Sequence, residues 1–169
     1  MRYRLDVVAR DVSEVVQFAG GWLVDRVMAG WDVTVLISGD DDLRPLEILG
    51  VQIQDLESAL EDWTERPHPQ TVAVAADLFA ADERVRRGVL GALEQGMTEV
   101  TLWGESWPAE LNAAVGSVRH ELSAAARAFK AQALAAIPGL SAASVEATET
   151  FRCGLTALPS VAADLTPAS

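Results

Sequence analysis

The chain has little cysteine, histidine, lysine or asparagine. One cysteine, Cys153, in 169 residues excludes an internal disulfide and a multi-cysteine metal site. The two histidines stand alone. His68 reads as a loop residue, because Pro69 pushes it out of helical geometry, and His120 reads as the surface of a helix. Positive charge is scarce: 13 Lys and Arg against 25 Asp and Glu give a net charge of −12. That balance argues against nucleic acid as the main partner, since such binding is driven by neutralising phosphates. The basic spot Arg84, Arg86, Arg87 is explained by a solvated helix face. No apolar run approaches the ~18 residues needed to span a membrane. The start, Met1 to Asp6, lacks the apolar core of a signal peptide. There is no G-x-G-x-x-G after a strand and no Walker loop, so the sequence argues for no nucleotide site. These absences lead to the expectation of a cytoplasmic protein that binds neither membrane nor nucleic acid.

Half of the residues are hydrophobic and 22% are charged, a globular profile with length enough for one domain and a real core. The sequence pattern predicts a single α/β domain over 1–139, with 140–169 as a partly ordered C-terminal extension. The organising stretch is Trp31 to Asp42. Its centre, Val33 to Ile37, is apolar on both faces and stops at an acidic turn, as a central strand of a covered sheet does. Before it, residues 3–9 alternate by two. Asp11 and Glu14 then form a capping box for a helix over 12–30, whose stripe is Val12, Val15, Val16, Ala19, Trp22, Leu23 and Val27. Gly20-Gly21 inside that helix costs ~1 kcal/mol per glycine relative to alanine; close packing or a break are the two explanations.

Further on, 44–51 reads as a strand, antiparallel because the loop before it is too short for a crossover, or as an irregular segment. Asp55 to Trp63 reads as a short helix. Thr71–Ala76, a helix capped by Asp82 and running to about Gln95, and Met97–Trp103 form the strongest strand–helix–strand unit. From Leu111 to Ile137, apolar residues recur by three and four, which predicts a helix over 109–137 with Glu110, Ser117, Glu121 and Lys130 on its polar faces. At 1.5 Å per residue it would be about 42 Å long, too long to lie on its own sheet, so either it breaks near Gly116 or its second half projects and needs another surface. One further element is expected around Val145–Leu155. The predicted architecture is a three-layer, Rossmann-like sandwich with a mostly parallel sheet of about four or five strands and a long C-terminal helix.

In parallel α/β sheets, ligands bind outside the carboxyl ends of the strands. Those ends carry Asp40, Asp41 and Asp42, then Asp77, then Glu105 and Ser106. Asp40, Asp41, Asp77 and Glu105 form an all-oxygen set of the kind that holds Mg²⁺, while the same residues also serve turns and helix caps. Paired aspartates after one strand and a single one after a later strand resemble a phosphoacceptor receiver domain, but the basic residue, Lys130, falls in a helix rather than at a strand end. Strand, then Gly104-Glu105-Ser106-Trp107-Pro108, resembles the nucleophile elbow of α/β-hydrolases. That likeness implies Ser106 as nucleophile, yet Pro108 replaces the final glycine and His120 is the only later histidine. Trp107 would sit at the rim, where aromatic residues contribute to binding.

Three functions follow as expectations. The favoured one is a non-catalytic binding or regulatory protein that self-associates or takes a protein partner. The second is a Mg²⁺-dependent enzyme acting on a phosphorylated small molecule through the strand-end carboxylates. The third is a degenerate α/β-hydrolase-like protein.

Overall fold

The computed structural model describes residues 2–39, 42–96, 98–104, 115–141, 143–154 and 164–167. In chain order the elements are β1 (Arg4–Ala9), α1 (Val12–Met28), β2 (Asp32–Ile37), α2 (Arg44–Leu49), β3 (Gln52–Asp55), α3 (Leu56–Glu61), β4 (Thr71–Ala75), α4 (Ala76–Ala81), α5 (Glu83–Gln95), β5 (Glu99–Trp103), β6 (Val115–Glu121), α6 (Ala124–Ala135), β7 (Thr148–Gly154) and β8 (Thr166–Pro167). One eight-stranded sheet runs β3-β2-β1-β4-β5-β7-β6-β8. Pairing is parallel from β3 through β5 and antiparallel from β5 through β8. This is an α/β fold with a mixed sheet flanked by helices, wider than the four or five strands expected.

The parallel half follows from the sequence pattern. Val33–Ile37, Val72–Ala75 and Val100–Trp103 are buried throughout, as strands covered on both faces must be. All three are interior and point the same way, with β1 between β2 and β4. Right-handed crossovers send α1 and α2 to one face and α3, α4 and α5 to the other; α6 packs on α1 and α2. Gly20 and Gly21 are buried within an unbroken α1. Added at Gly21, a Cβ would meet Leu122 Cδ2 at 2.1 Å, so close packing, not a break, accounts for this glycine.

Three expectations need correcting. Residues 44–49 are helix, with Pro45 in the first turn and Gly50 as a left-handed stop. That helix is itself the crossover, so the strand it leads to, β3, pairs parallel with β2. The long C-terminal helix does not exist as such: 115–121 is strand, and α6 begins only after Ser123, whose hydroxyl accepts from Ala126 N at 3.0 Å. Val115, Val118 and Leu122 fit a helical stripe, but Arg119, His120 and Glu121 alternate exposed, buried, exposed, the period of a strand. Phe129, placed on the apolar stripe, is 48% exposed. Finally, the chain past residue 140, expected as an extension, supplies β7 to the sheet interior between β5 and β6. Its alternation of buried Glu149, Phe151 and Cys153 with outward Thr150 and Arg152 is the signal for this strand. No described helix is long and apolar enough to cross a membrane.

Candidate functional site at the carboxyl ends of the parallel strands

β1 ends at Ala9, and Arg10 and Asp11 turn the chain into α1. Asp11 has extended backbone and caps the helix, its Oδ1 accepting from Glu14 N at 3.2 Å. The expected capping box is only half made. Glu14 turns its side chain to the sheet, where its Oε1 accepts from Trp103 Nε1 at 3.1 Å. Trp103 is fully buried as the last residue of β5, so the indole is a fixed donor at the strand end.

Glu14 is held above the ordinary carboxyl range. Burial contributes most, followed by the negative charge of Asp77; the Trp103 N–H and the Arg10 cation act in the opposite sense. Asp77 is exposed in the first turn of α4, directly after β4. β1, β4 and β5 are neighbours in the sheet, and their carboxyl ends therefore gather Arg10, Asp11, Glu14, Asp77 and Trp103. Gly104 makes this possible. Its φ is +136°, and a Cβ there would stand 3.3 Å from Ala76 Cβ, so the chain leaves β5 tight against the end of β4.

A cavity of about 190 Å³ opens on the other side of Asp11, lined by Asp11, Ser13, Asp42, Pro45, Ile137 and Pro138. A second, of about 350 Å³, lies between α1, α6 and β7, with Gln17, Phe18, Gly104, Ser117, Lys130 and Glu149 in its wall. Gln17 and Phe18 continue the face of α1 that bears Glu14, three and four residues on.

Lys130 and Glu149 form a buried pair at 2.7 Å. Lys130 Nζ also donates to Gln17 O at 2.7 Å. The Glu149 carboxylate accepts from Gly21 N at 2.9 Å and from Trp22 N at 2.7 Å. Lys130 was expected on a polar helix face; it is 4% exposed, because α6 lays it against α1. His120, expected on a helix surface, is a buried β6 residue 6% exposed. Cys153 is buried on β7, and burial pushes its thiol up to about 12, so it is no nucleophile at neutral pH.

Of the residues singled out in the sequence, Asp77 stands at the strand ends beside Glu14. Asp40, Asp41, Glu105, Ser106 and Trp107 lie outside the described residues. Sequence reading missed Glu14, Arg10 and Trp103. The available signal was positional: the end of β1 is also a strand carboxyl end, and the residues following it belong with those after β2, β4 and β5.

No protein-family model matches the chain, and no curated protein does. Solved structures do. The A40926 pseudoaglycone deacetylase matches with a TM-score of 0.63 at 15% identity, over 92% of this chain and 98% of that one. A teicoplanin deacetylase, solved in a zinc-inhibited form, gives a TM-score of 0.62 at 13% identity, over 91% and 98% of the two chains. The 4-carboxy-2-hydroxymuconate hydratase of Pseudomonas putida gives 0.61 at 11% identity, over 90% and 95%. At these identities the likeness establishes the fold. Each of these structures is of an enzyme, and they match nearly end to end. That goes against the favoured expectation of a purely non-catalytic binding or regulatory protein of unrecognised type.

Proposed function

We propose that this chain is an enzyme that adds water to a small-molecule substrate at the carboxyl ends of β1, β4 and β5, on a Rossmann-like, three-layer frame. Glu14 carries the proton. The observation behind this is a half-buried carboxyl held above its ordinary range next to a second carboxylate, Asp77. Such pairing is how enzymes tune a carboxyl for acid–base work near neutral pH. Deacetylation and hydration share one requirement, a base that takes a proton from water as its oxygen attacks. In this reading Glu14 accepts that proton and returns it to the leaving group or the adjacent carbon. Trp103 positions Glu14, and Arg10 offsets the charge of the two carboxylates.

Zinc does not fit the residues of this chain. Zinc favours histidine nitrogen and cysteine sulfur. His68 lies in the loop before β4, at the opposite end of the sheet from the site. His120 has both ring nitrogens engaged, and Cys153 is buried. Among the described residues, no three His, Cys, Asp or Glu come together to hold a metal ion. The proposed chemistry therefore runs through no zinc-bound step.

A second reading is Mg²⁺-dependent action on a phosphorylated small molecule, with Asp40, Asp41, Asp77 and Glu105 as ligands and Ser106 and Trp107 at the rim. It is favoured by Asp77 in the first turn after β4 and by Asp42 lining the cavity beside Asp11, an all-oxygen chemistry that suits a hard cation.

The test is hydrolysis of a panel of N-acetylated amines and phosphate esters, with and without Mg²⁺. The first reading expects Glu14→Gln to lower kcat by about a hundredfold or more on the turned-over substrate, with Asp77→Asn moving the pH profile. Full activity in Glu14→Gln would end this reading. Loss of turnover on chelation, restored by Mg²⁺, would instead select the second.

A further inference from the structure

His120 is fastened in an arrangement that specifies its protonation. Its Nδ1 faces the backbone carbonyl of Asp164 at 3.0 Å, and a carbonyl can only accept. Its Nε2 faces Asp25 Oδ2 at 2.7 Å. Asp25 already accepts from Ser123 Oγ at 2.5 Å and from Ser123 N at 3.1 Å. Burial works against the ionised form of Asp25, but the Ser123 and His120 hydrogen bonds outweigh it and hold the carboxyl below its ordinary range. With an acceptor opposite each ring nitrogen, both must carry hydrogen, so the ring is an imidazolium.

The surroundings agree. α1 presents Asp25 and Arg26. β7 places Glu149 directly opposite His120 in register, and α6 brings Lys130 to that carboxylate. β6 itself has Arg119 and Glu121, both exposed. The turn before β8 contributes Asp164, gripped by Arg26 Nε at 2.6 Å and Nη2 at 2.7 Å and by Trp22 Nε1 at 3.0 Å. Asp25, Asp164 and Glu149 thus meet Arg26 and Lys130, with buried Glu99 of β5 also within the field of Arg26 and Asp164, and a charged His120 adds a third cation to a cluster rich in carboxylates.

We propose that His120 is a proton-operated clasp: as an imidazolium it ties the C-terminal turn at Asp164 and Leu165 to α1 and β6, and as a neutral ring it lets that turn go. A neutral imidazole has one donor and one acceptor nitrogen. Either the Asp164 carbonyl or the Asp25 carboxylate would then face a lone pair, a costly juxtaposition in a buried site. Leu165, 8% exposed, and β8, which pairs with Val118 and Arg119, are the parts that would loosen. The clasp is tested apart from the catalytic reading, because its readouts involve neither Glu14 nor a substrate.

The experiment uses the full chain. Nitrogen NMR of the two histidines reads ring protonation directly, with exposed His68 as the internal reference, and amide exchange at Leu165 and Thr166 reads the turn. The expected result is a His120 ring that carries both hydrogens wherever the turn is protected. As that ring becomes neutral, exchange at Leu165 and Thr166 should rise about tenfold beyond the intrinsic base catalysis and beyond the change in β4. Ser123→Ala, which removes the α6 cap, should leave the ring charged. A ring with one bare nitrogen while the turn stays protected would overturn the proposal. So would a ring that keeps both protons until the whole chain unfolds.

Discussion

The two adjacent glycines of α1 should respond to alanine in opposite directions. At Gly20, a Cβ would meet Lys130 Cγ at 3.5 Å, Val16 Cγ1 at 3.6 Å and Leu49 Cδ2 at 3.7 Å, all ordinary packing distances. Gly20→Ala therefore gains the helix preference of alanine, about 0.5–1 kcal/mol, plus the burial of a methyl. At Gly21, the same atom would lie 2.1 Å from Leu122 Cδ2 and 2.3 Å from Leu122 Cγ, where carbon pairs require about 3.5–4.0 Å. Leu122 cannot easily retreat: it is 3% exposed, its N–H donates to Ala147 O at 2.9 Å, and the next residue is tied to Asp25. Overpacking of this kind costs about 1–3 kcal/mol, and more when the backbone is held, which exceeds the helix gain. Calorimetry and urea unfolding should show Gly20→Ala raising Tm by about 2–4 °C and Gly21→Ala lowering it by several degrees, at about 2–4 °C per kcal/mol for this size. In a double-mutant cycle, Leu122→Ala should absorb most of the Gly21→Ala penalty, a coupling of about 1 kcal/mol or more. If Gly21→Ala is as stable as the parent chain, or the two alanines shift Tm the same way, the close approach of α1 to Leu122 is wrong.

Lys130→Met should destabilise the chain by about 3–5 kcal/mol, since it leaves Glu149 buried without its cation; adding Glu149→Gln should recover part of the loss in chemical denaturation. Glu99, buried at the start of β5, is pushed up to about 7, by burial first, with Asp164 adding to the shift and Arg26 opposing it. A folded value above the ordinary 4.5 means the folded state holds the proton more tightly. The resulting stability is full below about pH 4.5 and is lost as pH rises through about 7, some 3 kcal/mol in order of magnitude. Glu99→Gln should flatten that slope in urea titrations across this interval, and an unchanged slope would remove Glu99 as its source. Zinc added in slight excess should raise Tm by less than about 1 °C, because the chain offers no nitrogen or sulfur set at the site; a rise that saturates at one ion per chain would contradict the donor analysis.

The interior of the parallel half was legible because β2, β4 and β5 are buried throughout their apolar centres and three of its helices begin at side-chain caps. Asp11, Asp55 and Asp82 each accept from a backbone amide two or three residues on, a local signal that survives without knowledge of the fold. The antiparallel half was not legible, because two periods competed for the same letters. In Val115 to Leu122, the apolar spacing of three and four suits a helix, while burial on every second residue suits a strand. What decides is the β7 partner, some thirty residues later in the chain. Residues 44–49 were misread because they were taken for the strand itself; the strand begins only at Gln52, and the connection 38–51, which contains the short helix, is long enough for a parallel crossover.

The site was half legible for a related reason. Acidic residues after β4 can be read from the sequence once the strand is found, but the Glu14 carboxyl is positioned by an indole 89 residues away and raised by burial that only the fold creates. The same holds for the polar groups beneath α1. Lysine and glutamate are almost never fully buried unless paired, so Lys130 was assigned to solvent, and Glu149 and His120 carried no mark of their roles. Their partners are far apart in the chain: Asp164 is 138 residues from Arg26 and Asp25 is 95 from His120. Desolvating these groups costs more than each attraction returns unless all are satisfied together. What the charges supply is therefore position: α1, which carries Glu14 at its first turn, is registered on β6 and β7 by Glu149 at Gly21 and Trp22, by His120 at Asp25 and by Asp164 at Arg26. A helix packed there by apolar contacts alone could slide or rotate, and the distance from Glu14 to Trp103 would not be fixed.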